Sequence, residues 1–319
     1  MRKDAKQTIN PELSRIQEWH EGGNRINYAA MGFESNKYFA SDRYEGMDQN
    51  YHRLNGKPCK AVGFEHEVEC HTINKAQVLA EVMTKVVFPL FPHDLYKMQH
   101  DGSLAGLTSV ECITQLMTKE FVRNHYAAYK AMYDVYFPAL GLVCGSSCGM
   151  HVNISNACFG ASEQTQTEAI RKLLYITNRH YEFMLALTAR DPHHTDYCQK
   201  MPQYATMDGA KHADLYNMSS SHGNCFNGSH FPEGRIELRI VGGQRTFGSF
   251  RNTVESVFHL VDAVKRINWS DCDDLTKIFA GCNRYVWDRL ATKCREAGTI
   301  TEEQLTAIRE TIDMETRYL

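Results

Sequence analysis

The stretch Gly63-Phe64-Glu65-His66-Glu67-Val68-Glu69 alternates three glutamates with other residues inside a strand-like run. Side chains at every second position of a strand share one face and lie about 7 Å apart. The pattern therefore predicts a strand that presents all three glutamates together. Burying several ionised carboxylates is costly unless cations compensate them, and this favours a divalent metal site. The alternative is a strand whose solvent-exposed face carries glutamates.

The composition is that of an ordinary globular protein. The chain has 319 residues, of which 43% are hydrophobic and 23% charged, enough for one large domain or two closely packed ones. A net charge of -3 argues against a partner held by bulk attraction to a phosphate backbone, so nucleic acid is not the expected partner. The polar first ten residues and the lack of a long apolar run predict a cytoplasmic protein that does not contact a membrane.

The cysteines predict a reducing compartment. There are 11 of them, scattered, odd in number and without a paired C-x-x-C signature. Cys144 and Cys148 bracket Gly145-Ser146-Ser147, where a chelating or cross-linked pair is one interpretation. A free-thiol, packing or loop role is the favoured one.

The composition and the periodicity of the chain change near residue 57. Residues 1–56 are rich in Gly, Asn, Arg, Asp and Tyr with weak periodicity, which predicts an N-terminal arm or extension. Residues 57–270 carry the regular patterns and are predicted to form the main domain. Residues 271–319 are predicted to form a C-terminal tail of two short helices.

Periodicity predicts alternating strands and helices in the first half of the main domain. The predicted elements are a strand at 60–70, a helix at 75–88, strands at 96–100 and 108–114, and a helix at 118–137 that ends before Pro138 and Gly141. The second of the short strands carries Glu111.

The second half continues in the same way. Gly149–Ser155 alternates and predicts a strand with His151 and Asn153 on one face. The further predicted elements are a helix begun by a capping box at Thr165–Glu168 and ending near Arg190, a strand at 235–240 and a helix at 249–267. The irregular segment 191–230 between them is interpreted as a lid that closes over the reaction centre.

Three separate strands thus place polar groups on one face and apolar groups on the other. An antiparallel sheet normally packs one face on a core and leaves the other to solvent. If the strands are neighbours, their carboxylates can hold two or more Mg²⁺ ions while guanidinium groups contact the phosphates of a nucleoside triphosphate.

In this order the motifs resemble those of the carboxylate-amine ligases, or amidoligases, of the glutamine synthetase and glutamate-cysteine ligase superfamily, particularly its phage-type members. The resemblance spans roughly residues 60–268. The matching pieces are Gly63-Phe64-Glu65-His66-Glu67, His100-Asp101-Gly102-Ser103, Val110-Glu111-Cys112, Gly149-Met150-His151-Val152-Asn153, Arg190, Tyr216-Asn217 and Arg235-Ile236-Glu237-Leu238-Arg239.

The resemblance implies an α+β fold, with a curved antiparallel β-sheet, helices packed on its convex face and an architecture like the glutamine synthetase catalytic domain. It makes residues 57–270 an amidoligase catalytic domain. The implied activity is an ATP- and Mg²⁺-dependent carboxylate-amine ligase that forms an amide or isopeptide bond through an acyl-phosphate intermediate. The implied partners are ATP, a carboxylate and an amine, with a homo-oligomer as one possible assembly and a bacterial host cytoplasm as the location of a phage-encoded member.

The resemblance also implies the metal ligands. They are Glu65, Glu67, Glu111, His151 and Glu237, for two or more Mg²⁺ ions, with Mn²⁺ as an alternative metal. Glu65 and Glu67 are expected to serve different ions, and Glu69 is a peripheral ligand or helper. Where many members have a second histidine, this chain has Asn153.

The remaining implied residues contact nucleotide and substrate. Arg239 is expected to neutralise the transferring phosphoryl group. Arg235 and Arg190 are candidates for binding substrate carboxylate or phosphate, with an ordinary surface salt bridge as the alternative for each. Asp101, with Ser103, is a candidate for positioning the substrate, and a simple Asx turn is its alternative. The residues expected to bind the nucleotide are His151, Asn153, Arg190 and Arg239.

Two other function classes stay open from the sequence. One is a phosphotransferase that acts on a guanidino or other nitrogen nucleophile, because phosphoryl transfer needs the same metals and arginines. The other is a non-catalytic metal-binding or virion-associated protein. Thiolate-bound zinc would favour this last class, and Mg²⁺-dependent ATP binding the first two.

Overall fold

The computed structural model describes most of the chain from residue 60 onward. The described residues are 53–54, 57–58, 60–71, 79, 82–91, 95–100, 104, 108–114, 117–218 and 223–312. The predicted N-terminal arm falls almost wholly outside them, as do residues 75–78, 80 and 81 of the predicted helix at 75–88. From Val82 onward this region has a π-helical turn at Met83–Val87 and a 3-10 turn at Phe88–Leu90.

An antiparallel sheet organises the described part. Its strands and those of a small separate hairpin are β1 (Arg53–Leu54), β2 (Lys57–Pro58), β3 (Val62–Cys70), β4 (Tyr96–His100), β5 (Thr108–Thr114), β6 (Leu142–Val143), β7 (Met150–Ser155), β8 (Phe226–Asn227) and β9 (Arg235–Leu238). The main sheet has the order β4-β5-β3-β7-β9-β8, with β6 also paired to β3, and all its pairings are antiparallel. Strands β1 and β2 pair only with each other.

The strands predicted near 60–70, 96–100, 108–114, 149–155 and 235–240 are all present. The last is shorter than predicted, because the backbone N–H groups of Arg239 and Ile240 both turn to the Cys225 carbonyl at 3.0 and 3.1 Å. Strand β8 was not predicted, since it lies inside the segment 191–230 that was expected to be irregular.

The helices of the described part vary widely in length. They are α1 (Lys119–Asn124), α2 (Tyr126–Ala131), α3 (Phe137–Leu140), α4 (Glu163–Arg179), α5 (Tyr181–Leu187), α6 (Met207–Lys211), α7 (Phe247–Arg266), α8 (Leu275–Ile278), α9 (Arg284–Arg289) and α10 (Glu302–Glu310). A π-helical turn at Leu290–Cys294 extends α9. The C-terminal region therefore has more helical segments than the two predicted.

The predicted helix at 118–137 is divided and does not end at Pro138. Its N-cap is Thr118, and the π-helical turn Met132–Tyr136 comes directly before α3. Because proline lacks an N–H donor and its ring crowds the preceding turn, the wider π turn accommodates Pro138 inside the helical run. Gly141 ends the run with a left-handed φ of 67°, as its position predicts.

The predicted capping box of the next helix was misplaced by three residues. Ser162 is the N-cap and forms the box with Thr165, while Glu168 pairs with Lys172 at 2.9 Å. The helix also breaks at His180 instead of continuing to Arg190. The apolar period continues through the break, so the sequence pattern did not reveal it.

The apolar face of β3 packs on helices. Phe64 contacts Phe250 of α7 and Tyr129 of α2, with ring centroids 5.6 and 6.4 Å apart. Burying an aromatic side chain of this size contributes roughly 1.5–3 kcal/mol. Since the glutamates of β3 alternate with Phe64 and Val68, these helices lie on the face opposite to the glutamates.

His66 lies on this apolar face, as the alternation predicts. It is 1% exposed, and its ring nitrogens lie 2.8 Å from the Tyr133 hydroxyl and 3.4 Å from the Tyr96 hydroxyl. Burial lowers the pKa of His66 to about 3, so the ring is neutral and structural. Helices packed on an all-antiparallel sheet give an α+β fold.

Candidate metal centre

The sheet register brings the predicted acidic residues to one face. In the pairing of β3 with its neighbours, Glu67 lies opposite Glu111 of β5 and Glu65 lies opposite His151 of β7. Glu237 of β9 then lies opposite Asn153 of β7. Directly opposed side chains are only about 5 Å apart at their Cβ atoms. All five predicted metal ligands therefore belong to one group on the face away from the helices.

His151 lies among three carboxylates. Its Nδ1 is 3.1 Å from a Glu65 oxygen and 3.3 Å from a Glu237 oxygen, and its Nε2 is 3.4 Å from a Glu67 oxygen. Burial on its own would lower the pKa of His151, but the hydrogen bond with Glu65 and the charges of Glu237 and Glu67 raise it to about 9. Without metal, the protonated imidazole helps to compensate these carboxylates.

Glu65 is held as a carboxylate. It accepts a hydrogen bond from Asn153 Nδ2 at 2.7 Å in addition to its contact with His151. Burial opposes ionisation, but these contacts and the charge of Arg235 lower the pKa of Glu65 to about 2. Arg235 in turn donates to the Asn153 side-chain oxygen, which orients the amide toward Glu65. The asparagine in place of a second histidine thus orients a carboxylate.

Arg239 and Asn227 hold the Glu237 carboxylate from two sides. Arg239 Nη1 donates to one oxygen at 2.7 Å, and Asn227 Nδ2 donates to the other at 2.9 Å. The Ser229 backbone N–H and hydroxyl both donate to the Asn227 side-chain oxygen, which fixes the orientation of its amide. All of Glu237, Arg239 and Asn227 are buried. Asn227 was missed from sequence because β8 is only two residues long.

The donor set fits a divalent cation. Glu65, Glu111 and His151 each offer one ligand atom, and these atoms lie within 4.8 Å of one another. Opposite ligands of a Mg²⁺ ion are about 4.2 Å apart, so small side-chain movements bring the three onto one ion. Carboxylate oxygens suit Mg²⁺, while the imidazole nitrogen makes Mn²⁺ an equally good fit.

The two other glutamates of β3 have different surroundings. Glu67 accepts a hydrogen bond from the Gly149 backbone N–H and faces His151. Glu69 accepts from the Ser147 hydroxyl at 2.7 Å and lies 3.9 Å from His71. The partners of Glu69 therefore differ from those of Glu65 and Glu67. A peripheral role for Glu69 stays a prediction.

A small cavity opens onto this group. It has a volume of about 70 Å³ and is lined by Glu67, Ser147, His151, Arg190, His194, Asp196 and Tyr197. Arg190 is 6% exposed and donates to the backbone carbonyls of His194 and Cys148, at 3.0 and 3.3 Å. Asp196, His194 and Tyr197 were missed because the segment after Arg190 has no periodicity that places it in the fold. Closure of this segment as a lid stays a prediction.

Asp101 and Ser103 lie outside the described residues. The predicted role of Asp101 therefore stays a prediction. Arg235, Arg190 and Arg239 all reach the group. Arg235 and Arg190 thus make contacts other than the ordinary surface salt bridge that the sequence left open for these two.

The cysteines of the described part are buried free thiols. They are Cys70, Cys112, Cys144, Cys148, Cys158, Cys198, Cys225, Cys272, Cys282 and Cys294. This agrees with the packing role expected for Cys144 and Cys148. Within the described residues, the group of candidate metal ligands contains no cysteine.

Among the helices of the described part, none is long and apolar enough to cross a membrane.

Fold and site together define an α+β protein with a partly buried, carboxylate-rich candidate metal centre. A comparison with known protein-family models finds no match. A search of curated proteins also finds no match.

Metal affinity should rise with pH because His151 carries a proton in the metal-free protein. A metal ion repels the imidazolium and needs its lone pair, so binding releases this proton. Below the raised pKa of about 9, Mn²⁺ affinity should increase by up to about tenfold per pH unit. Glu65, with its lowered pKa, adds nothing to this slope above pH 5.

Titration calorimetry with Mn²⁺ at pH 6.5, 7.5 and 8.5 measures this slope. Repeating it in buffers of different ionisation enthalpy counts the protons released. The His151→Asn variant should bind more weakly and lose the slope. Equal wild-type affinity at all three pH values would contradict the assignment.

Replacing Asn227 should destabilise the fold. Asn227→Ala leaves a buried oxygen of Glu237 without its donor, which costs about 1–3 kcal/mol in the free energy of unfolding. Urea unfolding followed by circular dichroism measures the change. Asn217→Ala is the matched control, because Asn217 also donates to a carboxylate, that of Asp214, but at an exposed position. A change as small as that of the control would show that Asn227 does not support Glu237.

Proposed function

We propose that this chain is an ATP- and Mg²⁺-dependent carboxylate-amine ligase. The observation that supports this most strongly is the convergence of Glu65, Glu111 and His151 within 4.8 Å, beside Glu237 and its arginine. Residues from four different strands contribute to this group, so its acidity is not the accidental face of one strand. We also propose that the sheet is curved and the architecture is like that of the glutamine synthetase catalytic domain.

In this proposal the carboxylates bind the metal ions. Metal ions held by them would offset the negative charge of the phosphates. Glu65, Glu111 and His151 would hold one ion, and Glu67 and Glu237 contribute to a second. Asn153 and Asn227 keep Glu65 and Glu237 in place, so the ligands are ordered before an ion arrives.

In this proposal the arginines contact the phosphoryl group and the substrate. A carboxylate is a poor acyl donor until phosphorylation gives it a good leaving group, and ATP supplies that phosphoryl group. Arg239 lies on the metal side of Glu237 and would stabilise negative charge on the phosphoryl oxygens. Arg190 lines the adjoining cavity, where it would orient a substrate carboxylate or a phosphate.

In this proposal the segment 191–197 covers the reacting groups. It follows Arg190 directly and places His194, Asp196 and Tyr197 around the cavity. An acyl phosphate must be kept from water until the amine attacks. We propose that this segment excludes water from the acyl phosphate and contacts the amine.

Product analysis tests the proposal. The full chain is incubated with ATP, Mg²⁺ and mixtures of carboxylic acids and amines, and mass spectrometry searches for a coupled product lighter by one water than its parts. An amide with release of inorganic phosphate supports the ligase. A product that keeps the phosphoryl group supports a phosphotransferase instead. No turnover and no Mg²⁺-dependent ATP binding would support a non-catalytic protein.

A further inference from the structure

A second cleft adjoins the candidate metal centre. It has a volume of about 510 Å³ and lies between the Gly145–Ser146 turn, the end of α5, the turn after β9 and the end of the π-helical turn near Lys293. Its floor is apolar, formed by Leu185, Ala186, Ala189 and Ala297. Arg190 lines both this cleft and the small cavity that contains Glu67 and His151. Arg190 therefore borders both spaces.

Positive charge prevails in this cleft. Its lining includes the cations Arg190, Arg245 and Lys293 and the acids Asp191 and Glu296. Lys293 pairs with Glu296 at 2.9 Å. Arg245 donates from Nε to the Cys144 carbonyl at 3.4 Å and has no ion pair with a carboxylate in the described part of the chain.

A further cation, Arg289, lies behind Ser249, a residue of the cleft lining. Arg289 is 4% exposed, and its Nη2 donates to the carbonyl and hydroxyl of Ser249, at 2.7 and 3.1 Å, and to the Thr253 hydroxyl at 2.8 Å. Ser249 itself lines the cleft. Within the described residues, Arg289 Nε has no hydrogen-bond partner and the guanidinium has no carboxylate partner.

A buried cation without an anion is costly, and a nearby anion would offset that cost. Burial lowers the pKa of Arg289 to about 10, the direction expected when no carboxylate compensates the charge. Ser249, which accepts two hydrogen bonds from Arg289, lines the cleft, so the charge of Arg289 lies one residue behind the cleft surface. The cleft is therefore electropositive beyond the charges on its own surface.

The cleft wall is preformed. Ala189 has a left-handed φ of 58°, and the Gly242 N–H donates to the Thr188 carbonyl at 3.1 Å. A Cβ atom at Gly242 would lie 2.2 Å from the Ala189 carbonyl oxygen, so only glycine permits this approach. Backbone held this closely needs little rearrangement when a ligand binds.

We propose that this cleft binds an anionic group, a phosphate or a carboxylate, on a ligand whose other end reaches the metal centre past Arg190. The inference rests on the proposed function, and the two sources of the anion are the nucleotide and a second acidic group of the acid substrate. The volume suits a group of small-ligand size. Arg245 makes the main charged contact, and Lys293 adds to it.

Anion titration without metal tests this inference. The full chain is titrated at low ionic strength, with chelator present, with inorganic pyrophosphate in one arm and glutarate in the other. We expect Arg245→Gln to weaken the bound anion about tenfold or more, since a charge-assisted hydrogen bond is lost. Lys293→Gln should weaken it less. Lys211→Gln is the matched control, because Lys211 lines a different cleft beside Trp269.

The outcomes separate the two sources. Binding of pyrophosphate alone assigns the cleft to phosphate, and binding of glutarate alone assigns it to a second carboxylate. Failure of both anions to bind would overturn the inference, as would equal effects of Arg245→Gln, Lys293→Gln and Lys211→Gln. A thermal melt of each variant checks its folding, and Lys293→Gln decides the matter if Arg245→Gln does not fold.

Failure of this inference and failure of the proposed function give different experimental results. The anion titration uses neither metal nor turnover, whereas a Mn²⁺ titration of the same variants without chelator reports on Glu65, Glu111 and His151. An anion site with no metal site would reject the ligase but keep the cleft. A metal site with no anion site would reject only the cleft.

Discussion

Glu65→Gln should weaken Mn²⁺ binding by on the order of a hundredfold or more and abolish ATP-dependent amide formation. Glu65 supplies a carboxylate to the group with Glu111 and His151, and the amide of glutamine keeps its shape but not its charge. Changes in residues that only support metal ligands already cost about 10–100-fold. Loss of a charged ligand should cost at least as much.

The variant also changes His151. Among the contacts that raise the pKa of His151, the hydrogen bond with Glu65 has the largest effect. Replacing Glu65 should therefore shift the pH dependence of metal binding to lower pH. Titration calorimetry with Mn²⁺ measures both effects. A uniform loss of affinity with an unchanged pH profile would mean that the contact at 3.1 Å does not set the protonation of His151.

Glu69→Gln is the matched control for this experiment. Glu69 lies on the same strand and the same face, but it contacts Ser147 and His71. Its replacement should change Mn²⁺ affinity only slightly. If both variants bound Mn²⁺ equally well, the metal centre would not be where we place it.

Arg239→Gln should slow amide formation by about a thousandfold or more without loss of metal affinity. The glutamine can still donate to Glu237, but the arginine cation proposed for the phosphoryl group is lost, and such cations are worth roughly 10³–10⁵ in rate. Removing the positive charge also leaves the carboxylates more negative, so Mn²⁺ should bind as tightly as before or more tightly. This separation of rate from metal affinity is the signature of a catalytic role.

Steady-state kinetics and Mn²⁺ titration on the same preparation measure the two quantities. Arg179→Gln is the control, because Arg179 also contacts a carboxylate, that of Asp273, but at an exposed position away from the sheet. It should leave the rate unchanged. A parallel fall of rate and metal affinity in Arg239→Gln would show that Arg239 only supports Glu237.

Strand alternation explains why much of the sheet was predictable. A two-residue period with carboxylates on one side and apolar groups on the other is a local property, so β3, β7 and β9 were evident without tertiary contacts. The period also assigned His66 to the core face. Strand β8 is too short to show any period, and so Asn227 was missed.

Helix interruptions were less predictable. The apolar period of α4 and α5 runs on through His180, and the π-helical turn before Pro138 preserves the helical pattern. Local interactions did not decide these breaks, because packing against the sheet overrides propensity. The capping box illustrates this on a small scale, since both Ser162 and Thr165 can cap a helix and only one of them does.

The sequence by itself determined the alternating strands, the identity of the acidic and basic residues on them, and their presentation on one face, because strand geometry requires only a chain in extended conformation. Only the tertiary structure decided which of these residues meet. The register that sets Glu65 beside His151 depends on pairing between residues 86 positions apart in the chain, and so does the contact that raises the pKa of His151 and lowers the pKa of Glu65 against the effect of burial. Such pairing cannot be read from local pattern, because it is fixed by the whole core that closes around the sheet.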